Sequence, residues 1–227
     1  MLLTAALGLC GVLCIMLHPL RLVMKGPFAG FAGKAFASMF FCLAGVAGAA
    51  QRERLNWQAA ALLFGFCLAC LGDILLAIEP ILANPERDKN YAFMTGAIPF
   101  FLAHVLNLAV LLSRGRFTPW LLPLLLILPV VYAILWRLKI FDFGKVGGPL
   151  IVYALLLGAL VWAAAQTGGA LRRLSLPGTC LLALSDTSLF FFTFGPKREG
   201  RPGSFSWLVM FPYYLAQALM ACAVAFV

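Results

Sequence analysis

Long apolar runs separated by short polar connectors make up almost the whole chain. A helix of 20 residues is about 30 Å long, which is the thickness of the hydrocarbon core of a bilayer. Eight runs that exclude charge are therefore predicted to cross a membrane, and the fold class is predicted to be all-α, a polytopic membrane protein of about eight transmembrane helices. The predicted spans are residues 2–18, 34–50, 57–78, 91–113, 119–136, 147–166, 176–195 and 205–227.

Composition supports this fold class and excludes a soluble domain. Hydrophobic residues make up 63% of the chain and charged residues only 11%, whereas ordinary globular domains carry about 25% charged residues. The 227 residues are accounted for by the spans and their connectors. We therefore predict a single transmembrane domain over 1–227.

The positive charge of the chain indicates membrane topology rather than nucleic-acid binding. The net charge is +9, but all 17 Lys and Arg residues lie between the apolar runs or at their edges, where lipid phosphate is the nearest anion. The odd-numbered connectors carry 11 of these residues and the even-numbered connectors carry 6. The positive-inside rule then places the odd connectors in the cytoplasm and both termini outside. We expect a multi-pass protein of the bacterial inner (plasma) membrane; its oligomeric state is left open.

Cysteine and histidine usage gives no sign of a metal site. The seven cysteines all lie in apolar runs, where they act as small core side chains, and this interpretation includes the Cys67-x-x-Cys70 pair. With only two histidines, a three-histidine zinc site cannot be built. We expect no metal and no cofactor.

Two separated blocks of sequence recur at one offset, which indicates an internal duplication. Residues 67–76 align with residues 180–189, and residues 99–104 align with residues 212–217. The differences 186 − 73 and 217 − 104 are both 113. We predict two parallel four-helix repeats, about 1–113 and 114–227, related by a pseudo-two-fold axis along the membrane normal. The alternative is chance similarity between leucine-rich helices.

Asp73 and Asp186 are the only acidic residues well inside predicted spans. An ionised carboxylate at the bilayer centre costs at least ~2.5 kcal/mol on insertion scales, so both are candidates for a functional site. The duplication would place them at one depth on opposite sides of the axis, facing each other across one pocket. Two alternatives remain open: a packing role for protonated or hydrogen-bonded carboxyl groups, and a proton relay in a transporter.

One face of the fourth span carries further candidates. Phe93, Gly96, Phe100, His104 and Asn107 recur at steps of three and four residues. His104 is the only histidine inside a span and aligns with Gln217, which favours a polar pocket beside phenyl rings that line an acyl-chain cavity. Ordinary aromatic packing, lipid contact and a satisfied core histidine are the alternatives.

Four motifs occur in the order of a known family. They are Gly72-Asp73-x-x-Leu76, Phe93-x-x-Gly96 followed by Ala103-His104, Ser185-Asp186-x-Ser188, and Tyr213-Tyr214-Leu215-Ala216-Gln217. In these motifs and in its eight apolar runs, the chain resembles the YhhN family of lysoplasmalogenase-like membrane proteins. The resemblance implies hydrolysis of the vinyl ether bond of lysoplasmalogen, which releases a fatty aldehyde and glycerophospho-ethanolamine or -choline.

The resemblance also implies a set of site residues. Asp73 and Asp186 match the acidic positions and are predicted to be catalytic. A lysophospholipid substrate and membrane lipid are the expected partners. The predicted substrate-binding residues are His104, Gln217, Ser185, Ser188, Tyr213, Tyr214, Phe93, Phe100 and Asn107. Asn107 is a departure from the family, in which an aromatic residue is expected, and it affects the expected polarity of the pocket.

The residues suit this chemistry. Protonation of the β-carbon of a vinyl ether gives an oxocarbenium ion that water captures, so one acid and one base suffice, as in glycoside hydrolysis. Two facing carboxyl groups in a low dielectric resist double ionisation, which keeps one of them protonated. The lipid phosphate is expected near the basic residues of the third or seventh connector, which are Arg87, Lys89, Lys197, Arg198 and Arg201.

Two other functions use the same acids. A secondary transporter would use the intramembrane pair for proton coupling, but it predicts more polar positions in the remaining spans. An intramembrane aspartyl protease is disfavoured because Cys70-Leu71-Gly72-Asp73 lacks the earlier glycine of the Gly-x-Gly-Asp motif.

Overall fold

The computed structural model describes residues 1–17, 27–82, 89–140, 147–194 and 205–227, with side chains in 1–16, 31–78, 94–140, 147–194 and 207–227. Within these ranges the chain forms α-helices and no strand. The helices are α1 (Leu2–Leu17), α2 (Pro27–Ala49), α3 (Trp57–Leu82), α4 (Lys89–Arg114), α5 (Leu122–Arg137), α6 (Gly147–Gln166), α7 (Gly169–Phe194) and α8 (Phe205–Ala223). Short 3₁₀ turns at Pro119–Leu121 and Val224–Phe226 precede α5 and follow α8.

The helices have the length and composition of membrane spans. In the described part of the chain, seven of them, α2 to α8, are long and apolar enough to cross a bilayer, while α1 is shorter. The predicted all-α polytopic fold is therefore confirmed, and the protein is an integral multi-pass membrane protein. Its orientation and its cellular membrane stay predictions.

Two helices begin earlier than the apolar runs predicted. α2 begins at Pro27 rather than residue 34, and α7 begins at Gly169 rather than residue 176. Arg172 and Arg173 had been assigned to a connector, but they belong to the first turns of α7 and are exposed. Long basic side chains near the end of a spanning helix can extend their charges to water, so charge did not mark the helix boundary. Gly169 has a φ of 59°, which lets the chain turn sharply between α6 and α7.

Six helices form a closed ring. Extensive contacts join α2 to α3, α3 to α4, α4 to α6, α6 to α7, α7 to α8, and α8 back to α2. α3 and α7 are three places apart in this order, so they face each other across the interior of the ring. α1 lies outside the ring against α2 and α8, and α5 lies outside it against α6.

The neighbour relations in the ring follow the order expected from a duplication. Exchanging α2, α3 and α4 for α6, α7 and α8 reproduces every contact of the ring, and α3 and α7 have the same length of 26 residues. The outer helices depart from this pattern, because α1 also packs extensively against α8 whereas α5 packs extensively against α6 only. The division into repeats 1–113 and 114–227 and the rotation that would relate them stay predictions.

Both chain termini lie at one end of the bundle. The amino group of Met1 donates to the side chain of Gln51 in the second connector. Asn56, at the end of the same connector, donates through Nδ2 to the carbonyl of Val227 at 3.1 Å. The termini and this even-numbered connector therefore share one end of the bundle.

Glycines allow α3 and α4 to approach closely beside the acidic residue of α3. A Cβ atom added to Gly72 would lie 2.7 Å from the ring of Phe100, and one added to Gly96 would overlap Leu76. Phe100 and Asp73 both line the interior between the helices.

Candidate active site

Asp73 is buried in the ring and held by hydroxyl groups from two other helices. Its Oδ2 atom accepts hydrogen bonds from Ser38 Oγ of α2 at 2.6 Å and from Tyr213 Oη of α8 at 2.9 Å. The hydroxyl of Tyr214 lies 3.5 Å from the same oxygen. Only 6% of the residue is exposed, so these donors replace water around the carboxyl group.

Aromatic packing fixes the direction of these hydroxyl groups. The Tyr213 and Tyr214 rings lie edge to face with centroids 4.9 Å apart, and Phe41 of α2 contacts both. Phe100 packs edge-on against Tyr213 at 5.8 Å. Such contacts restrict ring rotation, so the donors to Asp73 are positioned before any ligand enters.

Asp186 is held by a different pair of donors. Its Oδ2 atom accepts a hydrogen bond from Tyr153 Oη of α6 at 2.7 Å and lies 3.1 Å from Nε2 of His104 of α4. The side chain of Asp186 is 13% exposed and that of His104 is 1% exposed. Among the described residues this is the one carboxylate that contacts a basic side chain.

The surroundings of His104 favour one tautomer. Its Nδ1 atom is buried and has no hydrogen-bond partner in the described part of the chain. An unpartnered N–H in that position would cost more than an unpartnered lone pair. The tautomer of lowest cost carries its hydrogen on Nε2, which donates to Asp186.

The two acids are held in the same way by corresponding helices. Asp73 on α3 is bound from α2 and α8, while Asp186 on α7 is bound from α6 and α4. In both cases the donors converge on Oδ2.

One cavity of about 400 Å³ contains both acids. We call it the shared cavity. All six helices of the ring contribute to its wall, through residues such as Lys34, Asp73, Phe100, Tyr153, Asp186 and Tyr213. Its volume lies within the range of about 300–1,000 Å³ that is typical of small-molecule sites. Its wall is mainly apolar, and polar groups are concentrated around the two carboxyl groups.

Comparison with known proteins identifies the family. A model of the YhhN family matches residues 3–224, which is nearly the entire chain. The chain belongs to the YhhN family. No curated protein and no solved structure gives a significant match to this YhhN protein.

The structure brings many of the residues predicted from the YhhN resemblance into the wall of the shared cavity. Besides the two acids these are Ser185, Phe100, Tyr213 and Tyr214. Ser185 donates its hydroxyl to the carbonyl of Val209 at 2.7 Å, so it also ties α7 to α8.

Other predicted residues of this YhhN protein lie outside that wall. His104 is behind the wall and reaches the site through Asp186. Asn107 and Gln217 are buried, and neither they nor Ser188 belong to the wall. Asn107 faces Gly65 in the contact between α3 and α4.

Some predicted positions are beyond what the structure describes. The side chain of Phe93 lies outside the described side chains. The same holds for the basic residues at which the lipid phosphate was expected, which are Arg87, Lys89, Lys197, Arg198 and Arg201.

Three site residues of the YhhN chain were missed by sequence reasoning. Ser38 and Tyr153 each bind an acid directly, and Lys34 lines the shared cavity. Lys34 stands at the edge of the predicted span 34–50, where it is expected to contribute only to membrane topology. The available signal was spacing, because Ser38 follows Lys34 by four residues and the two therefore share one helix face.

Proposed function

We propose that this protein is a metal-independent membrane hydrolase that cleaves the vinyl ether bond of lysoplasmalogen, an alkenyl lysophospholipid. The products would be a fatty aldehyde and glycerophospho-ethanolamine or -choline. The observation that carries the proposal is the shared cavity, because Asp73 and Asp186 both line it and the rest of its wall is mainly apolar. Membership of the YhhN family supports a lysoplasmalogenase-like activity.

The reaction needs one proton donor and one proton acceptor. The acid transfers a proton to the β-carbon of the vinyl ether, and the resulting oxocarbenium ion is stabilised by the remaining negative charge. The base removes a proton from water as its oxygen bonds to the α-carbon, which gives a hemiacetal. Collapse of the hemiacetal breaks its bond to the glycerol oxygen, which takes up a proton, and releases the aldehyde.

The different donors around the two acids suggest how the roles are divided. Asp73 is the more buried and accepts hydrogen bonds only from hydroxyl groups, a setting suited to a carboxyl group that donates a proton. Asp186 is more exposed and accepts from Tyr153 and His104, a setting suited to a carboxylate that activates water. We assign Asp73 as the acid and Asp186 as the base.

The walls of the shared cavity suit a single alkenyl chain. Phe100, Phe190 and Leu76 provide apolar surface next to the carboxyl groups, and the ring of Phe190 is held against Tyr153 at 5.2 Å. Rigid aromatic walls exclude water, and water exclusion strengthens the electrostatic interactions of the acids with the reacting atoms.

Aldehyde release from a defined substrate tests the proposal. Purified protein in micelles is incubated with 1-alkenyl lysophosphatidylethanolamine and, as the matched control, with the 1-acyl lipid of equal chain length. Aldehyde is expected from the alkenyl lipid only. If folded protein releases no aldehyde, the proposal fails, and proton-coupled transport or lipid binding through the same acids becomes the better interpretation.

A further inference from the structure

Lys34 is a basic residue near the start of the apolar part of α2, where it interacts electrostatically with Asp73. Its side chain is partly buried and lines the shared cavity together with Asp73. The ammonium group forms no salt bridge with Asp73 or with another described acid. A basic side chain in the wall of a mainly apolar cavity is costly unless its charge interacts with a partner there, which makes Lys34 a candidate for a functional role.

The position of Lys34 along α2 relates it to the reacting groups. Lys34 precedes Ser38 by four residues, a separation of about 6 Å along the helix axis. Ser38 in turn donates to Asp73 at 2.6 Å. Lys34 therefore lies one helical turn from the residue that binds the acid, and it is the nearer of the two to Pro27, where α2 begins.

Lys34 interacts with Asp73 through its charge and without a salt bridge. The Oδ2 atom of Asp73 is bound by Ser38 and Tyr213, so its hydrogen bonds come from hydroxyl groups and not from Lys34. Lys34 is instead a cation in the wall of a mainly apolar cavity, and this combination fits an amphiphile with one anionic group near its reacting end.

We propose that Lys34 binds the phosphate of the lysophospholipid and sets the depth at which the vinyl ether meets the acids. Five covalent bonds separate the phosphorus from the ether oxygen, which is roughly 6 Å in an extended chain with bonds near 1.5 Å. This length matches the one turn between Lys34 and Ser38. The identity of the reacting bond rests on the proposed function, whereas binding of an anionic amphiphile can be measured separately.

Binding of unreactive ligands tests this role. The probes are a 1-O-alkyl lysophospholipid, the 1-O-alkyl glycerol of equal chain length, and inorganic phosphate. The variants are Lys34→Met, Lys34→Gln and Lys34→Arg, with Lys139→Met as the matched control, since Lys139 is exposed at the end of α5 and outside the cavity. Thermal unfolding selects the neutral Lys34 variant that remains folded.

The neutral variant is expected to weaken lysophospholipid binding by about tenfold to a hundredfold, the range of a hydrogen bond to a charged group. Binding of the alkyl glycerol should change less than about threefold, because this ligand has no phosphate with which Lys34 could interact. Lys34→Arg should retain most of the affinity, and Lys139→Met all of it.

Three results would overturn the proposal. They are an unchanged affinity for the lysophospholipid, an equal loss for both lipids, and a Lys34-dependent site that binds inorganic phosphate but not the lipid. The neutral Lys34 variant could lose affinity for the lysophospholipid and not for the alkyl glycerol, while wild-type protein releases no aldehyde from an alkenyl lipid. In that case only the proposed reaction fails.

Discussion

At the scale of single residues, the two carboxyl groups differ in the partners that hold them. Each is held through Oδ2, but Asp73 accepts only from hydroxyl groups whereas Asp186 also contacts an imidazole. His104 does not belong to the cavity wall. Any effect of His104 on catalysis would therefore pass through Asp186, which makes it a positioning residue.

Replacement of His104 tests this positioning role. Glutamine can still donate an N–H to Asp186, while leucine leaves the carboxyl group without that donor. We expect His104→Gln to retain turnover within about tenfold of wild type and His104→Leu to lose about a hundredfold, with a changed pH profile of kcat. Equal turnover in both variants would show that the contact between His104 and Asp186 does not support catalysis.

At the scale of helices, packing depends on backbone contacts made possible by glycine. A Cβ atom on Gly158 of α6 would overlap the carbonyl oxygen of Leu125 in α5. Since α5 packs extensively against α6 alone among the helices, this contact determines how α5 is attached to the ring.

The variant Gly158→Ala is expected to destabilise the protein. Overpacking typically costs about 1–3 kcal/mol because the backbone must move, so the unfolding temperature in detergent should fall. Gly65→Ala is the matched control, since its added Cβ would lie 3.4 Å from Asn107 Oδ1, an ordinary contact. The interpretation of this contact would be wrong if the two variants unfolded at the same temperature.

Helices were predictable from sequence because charge is so strongly excluded from spans. The same criterion failed where spanning helices carry basic residues near their ends. It placed Arg172 and Arg173 in a connector, although they lie in α7, and it put Lys34 at the edge of a span, although α2 begins seven residues earlier at Pro27. Lys34 and the neighbouring Ser38 were therefore overlooked.

At the scale of the whole molecule, the ring brings together residues that are far apart in sequence. Asp73 and Tyr213 are 140 residues apart, and His104 and Asp186 are 82 residues apart. The repeated motifs predicted that the two acids face one pocket, but they carried no information about which helix supplies the donors. Tyr153 therefore became apparent only from the packing of α6 against α7.

The predicted duplication implies a specific geometric relation between the two halves of the bundle. The halves 1–113 and 114–227 should superimpose by a rotation of about 180° around the membrane normal, since an even number of spans gives both halves the same direction. An experimentally determined structure in lipid provides the measurement. A relation between α3 and α7 other than such a rotation would contradict the duplication.

The central claim is that Asp73 and Asp186, one from each half, form one catalytic unit. Asp73→Asn and Asp186→Asn keep side-chain size and hydrogen-bonding capacity but remove proton transfer and negative charge. Binding of the 1-O-alkyl lysophospholipid serves as the control for a folded protein, because this ligand needs no proton transfer.

Aldehyde release from the alkenyl lysophospholipid by these variants tests the claim most directly. A positioned acid or base contributes about 10²- to 10⁴-fold in rate, and members of one unit are not additive. We predict that each single substitution removes nearly all activity and that the double variant is scarcely worse. Turnover above about a tenth of wild type in either single variant would contradict the role assigned to that aspartate.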